Sequence, residues 1–307
     1  MAAVSITDLV GAIDGHVHAC PHINARRLDV IEALDAADQA GMAALGLMDN
    51  FASSVQLAAL ARRVRPDATT EIFGGLIMEP PAGGLSPAAV QAALAVGYGP
   101  HEGARFISLP THHTRFVAEQ ERRSKAHLDA CLAIPDTGPL PDPLPEILDL
   151  IAEADVALNT GHVSAPEAHR VAEAALSCGV TRVLVPANHY APDDVAALTA
   201  LGAVAELSFF FVSHATEASL THVDAEKHVI ARVDAAKMTA LAMAAAPARL
   251  VLSSDCGVSL LPPPVEGLRC FLALLDATGV PHQTLSEAVR DTPRWLFKVA
   301  QSKSLVE

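Results

Sequence analysis

The chain has few cationic residues and no long hydrophobic run. Lys and Arg together number 21 against 35 Asp and Glu, so the formal net charge is −14, and the basic residues form no block. Nucleic acids and anionic membrane surfaces attract positively charged patches, so neither is expected as a partner. No apolar run reaches the roughly 18 residues that a membrane-spanning helix needs. The sequence therefore predicts a soluble protein.

The sequence also has no CxxC cysteine pair, and its first residues do not predict a signal peptide. The five cysteines are widely spaced and form no CxxC pair. This pattern favours reduced, mostly buried thiols over a disulfide framework. The N-terminal stretch MAAVSITDLVGAIDG has no basic region, no apolar segment of signal-peptide length and no small-residue cleavage site. The expected location is the cytoplasm.

What the chain does have is a repeated alternation of short apolar runs and alanine-rich helical segments. The runs have the composition of parallel strands covered on both faces, and most recur every ~25 to 35 residues, as strand–helix units do. Eight such units without a linker predict one α/β domain over residues 1–307, a (β/α)8 TIM barrel rather than a doubly wound open sheet. The predicted strands are GAIDGHV, AALGLMD, TEIFGGLIM, ARFISLP, VALNT, TRVLVPA, AVAELSFFF and RLVLSSD.

Helix-capping signals lie between the predicted strands. Ser164 with Glu167 three residues later is typical of a capping box, and Ser86 before Pro87 is typical of a helix start. Two connections are long, at residues 111–145 after strand four and 211–247 after strand seven. Both leave the C-terminal ends of strands, where barrel enzymes hold their active sites. They are candidate lids.

Polar residues stand at the C-terminal ends of several predicted strands. His16 and His18 end strand one, His162 follows strand five, His189 follows strand six and Asp255 ends strand eight. Residues two apart on a strand point to the same side, so the rings of His16 and His18 can reach one ion. A lone HxH is a weak signal, but its occurrence together with His or Asp at three other strand ends favours a metal site over packing alone.

The residue types at these strand ends suit one kind of chemistry. Imidazole nitrogens and a carboxylate are ligands that zinc prefers. A bound divalent ion lowers the pKa of its water toward ~7, which supplies hydroxide at neutral pH and predicts a hydrolase. Asp255 facing that water would be the natural general base. Ser253, Ser254 and Asp255 are also helix-capping residue types, and both roles are compatible.

Further polar residues fall on the same face of the predicted barrel. Asp49 and Asn50 end strand two and Glu79 ends strand three, where a role in the site or a simple turn or cap role is open. Glu206 lies within strand seven among apolar neighbours. Because an unpaired buried carboxylate is costly, we expect Glu206 to have a partner.

Loop residues on the same side are candidates for substrate contact. His22, His112 and His113 lie in these loops, with plain surface placement as an equal alternative. Arg26 and Arg27 follow the HxH motif and could bind a substrate carboxylate with paired hydrogen bonds. The alternative for both arginines is an exposed, charged helix start.

These motifs resemble those of the amidohydrolase superfamily, whose members are metal-dependent (β/α)8 barrels. The matching motifs are DGHVH, TGHVS, NHY and SSDCG, in the order and strand positions of that superfamily, and the resemblance runs from about Asp14 to Trp295. The loop ACPHINARR, the stretch GGLSPAAV and the PT that closes strand four resemble an uncharacterised branch of the superfamily.

The resemblance implies a ligand set of His16, His18, His162 and Asp255, with His189 as a further ligand or a polarising group. Many members with two ions carry a carboxylated lysine or a glutamate at the end of strand four, where this chain reads SLPTHH. The resemblance therefore implies one ion, zinc before manganese or iron, unless His112 or His113 substitutes as a bridging ligand.

Three functions are consistent with these residues. The first is a hydrolase in which a metal-activated water attacks an amide, cyclic imide or lactone carbonyl of a small molecule. The second is a metal-dependent decarboxylase whose carboxylated substrate is bound by Arg26 and Arg27. The third is a barrel without turnover that binds a ligand. The alanine-rich outer helices also leave a homo-oligomer open.

Overall fold

The computed structural model describes residues 6–99, 102–217, 220–221, 227–228 and 230–301. Within these residues, eight parallel strands follow one another in sequence order around a barrel, with helices on the outside. The predicted (β/α)8 barrel is confirmed.

All eight predicted strands are present, and an additional antiparallel pair lies in the connection after the seventh. The strands in chain order are β1 (Ile13–Val17), β2 (Ala44–Leu47), β3 (Glu71–Ile77), β4 (Phe106–Ser108), β5 (Ala157–Asn159), β6 (Val183–Pro186), β7 (Val204–Ser208), β8 (Leu220–Thr221), β9 (Lys227–His228) and β10 (Leu250–Ser253). The barrel strands are buried along nearly their whole length, which explains their almost continuous apolar composition.

Neighbouring barrel strands pair from β1 through β7 and then β10. β10 pairs with β7 in a regular register that begins with Leu250 opposite Ala205. The junction between β10 and β1 is closed just beyond the end of β10, where His18 N–H donates to the carbonyl of Cys256 at 2.9 Å. The C-terminal ends of the strands therefore surround one opening.

Helices cover the outside of the barrel. Their bounds are α1 (Val30–Gln39), α2 (Val55–Val64), α3 (Pro87–Ala95), α4 (Arg115–Gln120), α5 (Lys125–Ala130), α6 (Leu144–Ala154), α7 (Ala165–Ser177), α8 (Pro192–Leu201), α9 (Ala235–Ala244), α10 (Pro264–Ala277), α11 (His282–Val289) and α12 (Asp291–Leu296). The predicted capping box of Ser164 and Glu167 starts α7, and Ser86 caps α3. Of the helices within the described residues, none combines the length and the apolar character needed to cross a membrane.

The apolar core has two parts. The larger cluster lies between the strands and the outer helices, and the smaller one fills the barrel interior. Phe297, just after α12, packs against Phe73 with ring centroids 4.9 Å apart. Arg105, which directly precedes β4, donates to the carbonyl of Phe297, so α12 covers the end of the barrel where the strands begin. The opposite end is left for the polar residues.

The structure corrects the predicted end of strand seven. The run AVAELSFFF leaves the sheet at Ser208, and Phe209–Val212 form a 3-10 turn. The chain turns there because it crosses the end of β10, where Phe210 N–H donates to the carbonyl of Ser254 at 3.1 Å. The connection after β4 contains α4 and α5. The connection after β7 contains β8, β9 and α9. Residues 218–219, 222–226 and 229 of the second connection lie outside the described part.

The five cysteines are free thiols, as predicted. The predicted burial holds for Cys256 and is wrong for Cys178 and Cys270, which are exposed. Cys178 and Cys270 lie on or beside the outer faces of helices, which the helical hydrophobic periodicity leaves exposed to solvent.

Candidate metal centre and substrate cavity

The end of β1 carries two histidines whose rings face the barrel opening. The register of β1 against β2 shifts between Asp14 and Val17, so β1 contains an extra residue next to His16. Such bulges turn side chains toward functional sites. The rings of His16 and His18 lie 5.2 Å apart between centroids, and each residue is only 8% exposed.

Asp255 reaches the two histidines from the loop that follows β10. Its backbone N–H donates to the carbonyl of His16 at 2.9 Å, and its φ of 49° lies in the left-handed region. A residue other than glycine costs free energy in that conformation, and such residues cluster at functional sites. The turn places Asp255 Oδ1 at 3.3 Å from His16 Nε2 and at 3.3 Å from His18 Nε2.

These three side chains form a group that could hold a metal ion. One ligand atom from each of His16, His18 and Asp255 lies within 4.8 Å of the other two. Ligand atoms around one tetrahedral zinc ion, bound at about 2.0–2.2 Å, lie roughly 3.3–3.6 Å from each other. The two separations of 3.3 Å between the histidine nitrogens and Asp255 Oδ1 lie in this range.

Glu206 orients His16 from β7. Its Oε1 lies 3.0 Å from His16 Nδ1 and also accepts from the hydroxyl of Ser253 at 2.8 Å. Because Glu206 Oε1 accepts from the Ser253 hydroxyl, we assign His16 Nδ1 as a second donor to it, which leaves Nε2 facing Asp255. Histidine ligands of metals are commonly oriented in this way by a carboxylate. The expected partner of Glu206 is thus His16.

The carboxylates around the group have too few hydrogen-bond donors. Asp14 Oδ1 accepts from the backbone N–H groups of His16 and Ser254, but among the described residues Asp14 Oδ2 and Glu206 Oε2 have no hydrogen-bond partner. Asp14 is fully buried, and Glu206 is 1% exposed. Buried carboxylate oxygens without donors are costly, and a cation would compensate for them. The residues present therefore fit a bound divalent cation.

Charge at the site is unevenly distributed between the two histidines. Burial lowers the pKa of His16, but the carboxylates of Asp255 and Glu206 outweigh it and raise the pKa to about 9. Burial and the nearby charge of Arg26 hold the pKa of His18 well below its ordinary value. A metal ion entering the site would therefore displace a proton from His16 and meet a neutral His18.

The structure does not bring His162 and His189 into this group. His162 faces the same cavity, and burial lowers its pKa to about 4, but it is not part of the three-residue cluster. His189 lies beyond the end of β6 and its Nε2 contacts the carbonyl of Ala231 at 2.8 Å. The ring of Phe211 contacts both imidazoles, with centroids 6.1 Å from His162 and 5.1 Å from His189. Phe211 and the Ala231 carbonyl thus keep His189 in a neighbouring, smaller cavity.

A cavity of about 290 Å³ opens directly above the three-residue group. Of the residues predicted to contact substrate, Arg26 and His112 line it. Its apolar wall includes the rings of Phe51, Phe210 and Phe211. This volume is at the lower end of the range for ligand pockets.

The two predicted arginines have different positions. Arg26 lies at the cavity, mostly buried, and its guanidinium nitrogen Nη2 is 3.0 Å from His22 Nε2. Burial lowers the pKa of Arg26, while the charges of Asp255 and Asp49 oppose that effect. Arg27 is exposed and donates to the carbonyl of Ser259 at 3.0 Å, as expected for a surface side chain. His22 lies behind Arg26, 3.6 Å from Asp49 Oδ1.

Glu79 holds the loop that follows β4. Its Oε1 accepts from Thr111 N–H at 2.6 Å, from the Thr111 hydroxyl at 3.0 Å and from His112 N–H at 2.5 Å. Its Oε2 accepts from His113 N–H at 3.3 Å and from His113 Nδ1–H at 2.8 Å. Burial raises the pKa of Glu79, but the donors of His113 and His112 outweigh it and lower the pKa. Glu79 is therefore ionised and holds the loop after β4 in place, and we call this its anchor role. His113 donates to Glu79 instead of lining the cavity.

Two residues of this region are missing from the sequence-based candidates. Asp14 is one, although it lies in the DGHVH motif, where its position two residues before His16 on the same strand was a usable signal. Thr111 is the other; it links Glu79 to Asn50, whose side-chain amide donates to the Thr111 hydroxyl at 3.1 Å. No side-chain pattern in the sequence indicates that link.

Solved structures with the same fold include several enzymes. The chain aligns with an amidohydrolase from Pseudomonas aeruginosa at 10% identity, with a TM-score of 0.55, over 96% of this chain and 97% of that one. It aligns with organophosphorus hydrolase from Deinococcus radiodurans at 14% identity, with a TM-score of 0.57, over 96% and 94%. It aligns with 2,6-dihydroxybenzoate decarboxylase, complexed with 2,6-dihydroxybenzoate, at 12% identity, with a TM-score of 0.54, over 94% and 99%.

These likenesses confirm the (β/α)8 fold that the resemblance to the amidohydrolase superfamily implies. A comparison with curated proteins finds no match. A family model matches residues 11–206, which include β1 through most of β7 and therefore His16, His18 and Glu206. On this match the chain belongs to DUF6282, a family of unknown function.

Proposed function

We propose that the protein is a metal-dependent hydrolase of a small molecule with an amide, cyclic imide or lactone carbonyl. The observation that carries this proposal is the convergence of His16 Nε2 and His18 Nε2 on Asp255 Oδ1, each at 3.3 Å. His16 lies on β1, His18 directly follows β1 and Asp255 lies in the loop after β10, and all three line the cavity. One ion, zinc first and manganese or iron as alternatives, is the proposed occupant.

His16, His18 and Asp255 would hold the ion. A divalent ion in such a site supplies Lewis-acid polarisation of a carbonyl and a nucleophile at neutral pH. Glu206 keeps the Nδ1 proton of His16 in place, so that Nε2 is available on the cavity side. Asp255 is the carboxylate on the cavity floor that is placed to take up a proton from the attacking group and return it to the leaving group.

The cavity walls supply binding and orientation. Arg26 would bind an anionic or carbonyl group of the substrate from one side, and His112 faces it from another. The phenylalanine rings on the apolar wall exclude water from the reacting carbonyl. His162 lies on the same cavity as a neutral imidazole and is a candidate for contact with the carbonyl oxygen.

A reconstitution assay tests this proposal. The protein is stripped with a chelator, reloaded with zinc, manganese or iron, and offered panels of small amides, cyclic imides and lactones. We expect turnover that requires about one equivalent of metal and is absent from the stripped protein. Metal binding without turnover on any member of the panels would favour a binding barrel instead.

A decarboxylase is the second candidate, because Arg26 lies in the cavity where it could hold a substrate carboxylate above the ion site. One of the similar structures is a decarboxylase with its carboxylated aromatic compound, which supports the possibility for this fold. Release of carbon dioxide from an aromatic carboxylate without hydrolysis of any panel member would favour this candidate over the hydrolase.

A further inference from the structure

The NHY motif that follows β6 lies outside the metal-binding group, and each of its side chains is hydrogen-bonded to a different neighbouring segment. Asn188 Oδ1 accepts from the N–H of Ser208, at the end of β7, at 2.8 Å. The Tyr190 hydroxyl donates to the carbonyl of Val163, after β5, at 2.7 Å. Asn188 and Tyr190 are both buried. The backbone on either side of His189 is therefore held by two neighbouring strand ends.

His189 joins the motif to the connection that follows β7. Its Nε2 lies 2.8 Å from the carbonyl oxygen of Ala231. A carbonyl oxygen only accepts, so His189 Nε2 carries a proton and donates it. Lys237, in the first turn of α9, donates from Nζ to the backbone carbonyl of His189 at 3.2 Å. The ring and the backbone of His189 thus both contact the part of the chain that leads into α9.

The end of this connection, residues 230–233, is called the returning arm because it brings the chain back to α9. Its other hydrogen bonds among the described residues stay within the connection. Ile230 N–H donates to the carbonyl of Thr216 at 3.2 Å, and Val233 N–H donates to the carbonyl of Phe211 at 2.8 Å. The bond from the histidine of the NHY motif is therefore the one that ties the returning arm to a barrel strand end.

The returning arm forms part of the wall of the substrate cavity. Ile230 lines this cavity and also the smaller cavity beside it. Phe211, which accepts from the arm, lines both cavities as well, and its ring meets the His189 ring edge-on with centroids 5.1 Å apart. His189 lines only the smaller cavity, so its effect on the substrate cavity passes through the residues that it holds.

We infer that His189 is a positioning residue whose ring holds the returning arm, so that Ile230 and Phe211 form a wall of the substrate cavity. This inference rests on the proposed function in one respect, namely that a substrate binds in this cavity. It replaces the role of metal ligand or polarising group that the resemblance implies for His189. A ring nitrogen that binds a metal cannot carry a proton, whereas the bond to Ala231 requires the proton on Nε2.

The proton on His189 can be observed directly. Nitrogen NMR of protein with ¹⁵N-labelled histidine distinguishes protonated, unprotonated and zinc-bound ring nitrogens, and a His189→Gln variant assigns the His189 signals. We expect Nε2 to be protonated both before and after zinc is added, and neither ring nitrogen to bind zinc. An unprotonated Nε2 in the metal-free protein, or a zinc-bound nitrogen of His189, would overturn the inference.

Hydrogen exchange of the backbone amides tests whether His189 holds the arm. In His189→Ala the amides of Ile230 and Val233 should exchange about tenfold faster, because the arm loses its bond to the barrel. In His189→Gln the side-chain amide can donate to Ala231 in place of the imidazole, so exchange should stay close to that of the wild type. His282→Ala, which removes an exposed histidine beside Asp276, is the control and should leave both amides unchanged.

Either of two results in the exchange experiment would contradict the inference. The first is unchanged exchange of both amides in His189→Ala. The second is exchange in His189→Gln as fast as in His189→Ala, which would mean that the donor is not what holds the arm.

Binding of benzohydroxamate, a small metal-binding molecule, tests the effect on the cavity. For the zinc-loaded protein we expect His189→Ala to weaken binding by about 3- to 10-fold at unchanged zinc content, and His189→Gln to restore it. Unchanged affinity in His189→Ala would show that the arm does not shape the cavity. If the wild type bound no zinc, the proposed hydrolase would fail, whereas the metal-free NMR and exchange results would still decide whether His189 holds the arm.

Discussion

Two clusters of buried carboxylates and histidines lie at the same end of the barrel, and their hydrogen bonding differs. At β3 and β4, the two oxygens of Glu79 accept five hydrogen bonds from Thr111, His112 and His113. At β1, β7 and β10, Asp14 and Glu206 each keep one buried oxygen without a partner among the described residues.

The difference separates a structural carboxylate from a group suited to ligand binding. A carboxylate that is saturated with donors, like Glu79, stabilises the fold and has little capacity for a ligand. The carboxylates beside His16, His18 and Asp255 keep buried oxygens without donors among the described residues, so a cation is a partner that would compensate for them. Variants of Glu79 should therefore change the stability of the fold, whereas variants of the cluster around His16, His18 and Asp255 should change metal binding.

The largest effect is expected for the metal-binding group. His16→Ala, His18→Ala and Asp255→Ala should each lower metal-dependent turnover by about 1,000-fold or more, because a three-residue site cannot hold its ion with two ligands. Metal content by mass spectrometry and turnover are the readouts. His189→Ala is the matched control, since His189 faces the Ala231 carbonyl, and it should keep the metal. If His189→Ala lost the metal and the other three variants kept it, the assignment of His16, His18 and Asp255 as the ligands would be wrong.

Removing the charge of Glu79 should destabilise the fold without affecting the ion. A glutamine cannot accept all of the hydrogen bonds that Glu79 accepts, so Glu79→Gln should reduce the free energy of unfolding by about 2–4 kcal/mol in urea denaturation. Glu71→Gln is the control on the same strand, because the Glu71–Arg105 pair is partly exposed and should contribute about 1 kcal/mol or less. Equal costs for the two variants would contradict the anchor role.

The effect of Glu79→Gln should also depend on pH. The pKa of Glu79 in the folded protein is lowered, so its stabilisation is complete above the unfolded pKa of about 4.3 and is lost as the pH falls through the folded value. The difference in unfolding free energy between wild type and Glu79→Gln should therefore be constant near neutral pH and shrink below about pH 4. A difference that grows on acidification would mean that Glu79 is protonated in the folded protein.

Glu206→Gln should weaken the metal-binding group without abolishing it. The amide cannot match the carboxylate as an acceptor for His16 Nδ1–H, so we expect metal affinity to fall by about 10- to 100-fold. Competition with a chelator measures the affinity. Ser253→Ala removes the other donor to Glu206 Oε1 and should have a smaller effect. No change in affinity in Glu206→Gln would show that His16 is oriented without it.

The smallest effect is expected at the arginines. Arg26→Gln should weaken binding of an anionic substrate or inhibitor by about tenfold, because Arg26 is a partly buried cation that lines the cavity. Arg27→Gln should change binding by less than about twofold, because Arg27 is exposed and bonded to Ser259. Ligand titration measures the affinity of both variants. Equal losses of affinity in Arg26→Gln and Arg27→Gln would argue against Arg26 as the binding residue.

The sequence predicted both the barrel and the candidate ligands His16, His18 and Asp255, because both predictions depend on simple rules. Parallel strands of a barrel converge at their C-terminal ends, so residues at strand ends meet regardless of loop detail. The cost of a buried carboxylate likewise indicated that Glu206 has a partner. The identity of that partner required the closure of the barrel between β10 and β1, because His16 on β1 and Ser253 on β10 both come within hydrogen-bond distance of Glu206 Oε1.

The remaining features depend on backbone paths that side-chain patterns do not encode. Three of the five hydrogen bonds to Glu79 come from backbone N–H groups of the loop after β4, which most residue types could supply. His189 lies beyond the end of β6, where the path of the long connection decides which way its ring points. The chain from Glu79 through Thr111 to Asn50 joins three strand ends and becomes visible only when their distances are known.

The most direct test of the central claim is an anomalous difference map from a crystal of the protein grown with zinc and measured at the zinc absorption edge. The account predicts one strong peak in contact with His16 Nε2, His18 Nε2 and Asp255 Oδ1. A strong peak elsewhere in the barrel, or no peak at this group with zinc in excess, would contradict the claim that His16, His18 and Asp255 bind a cation.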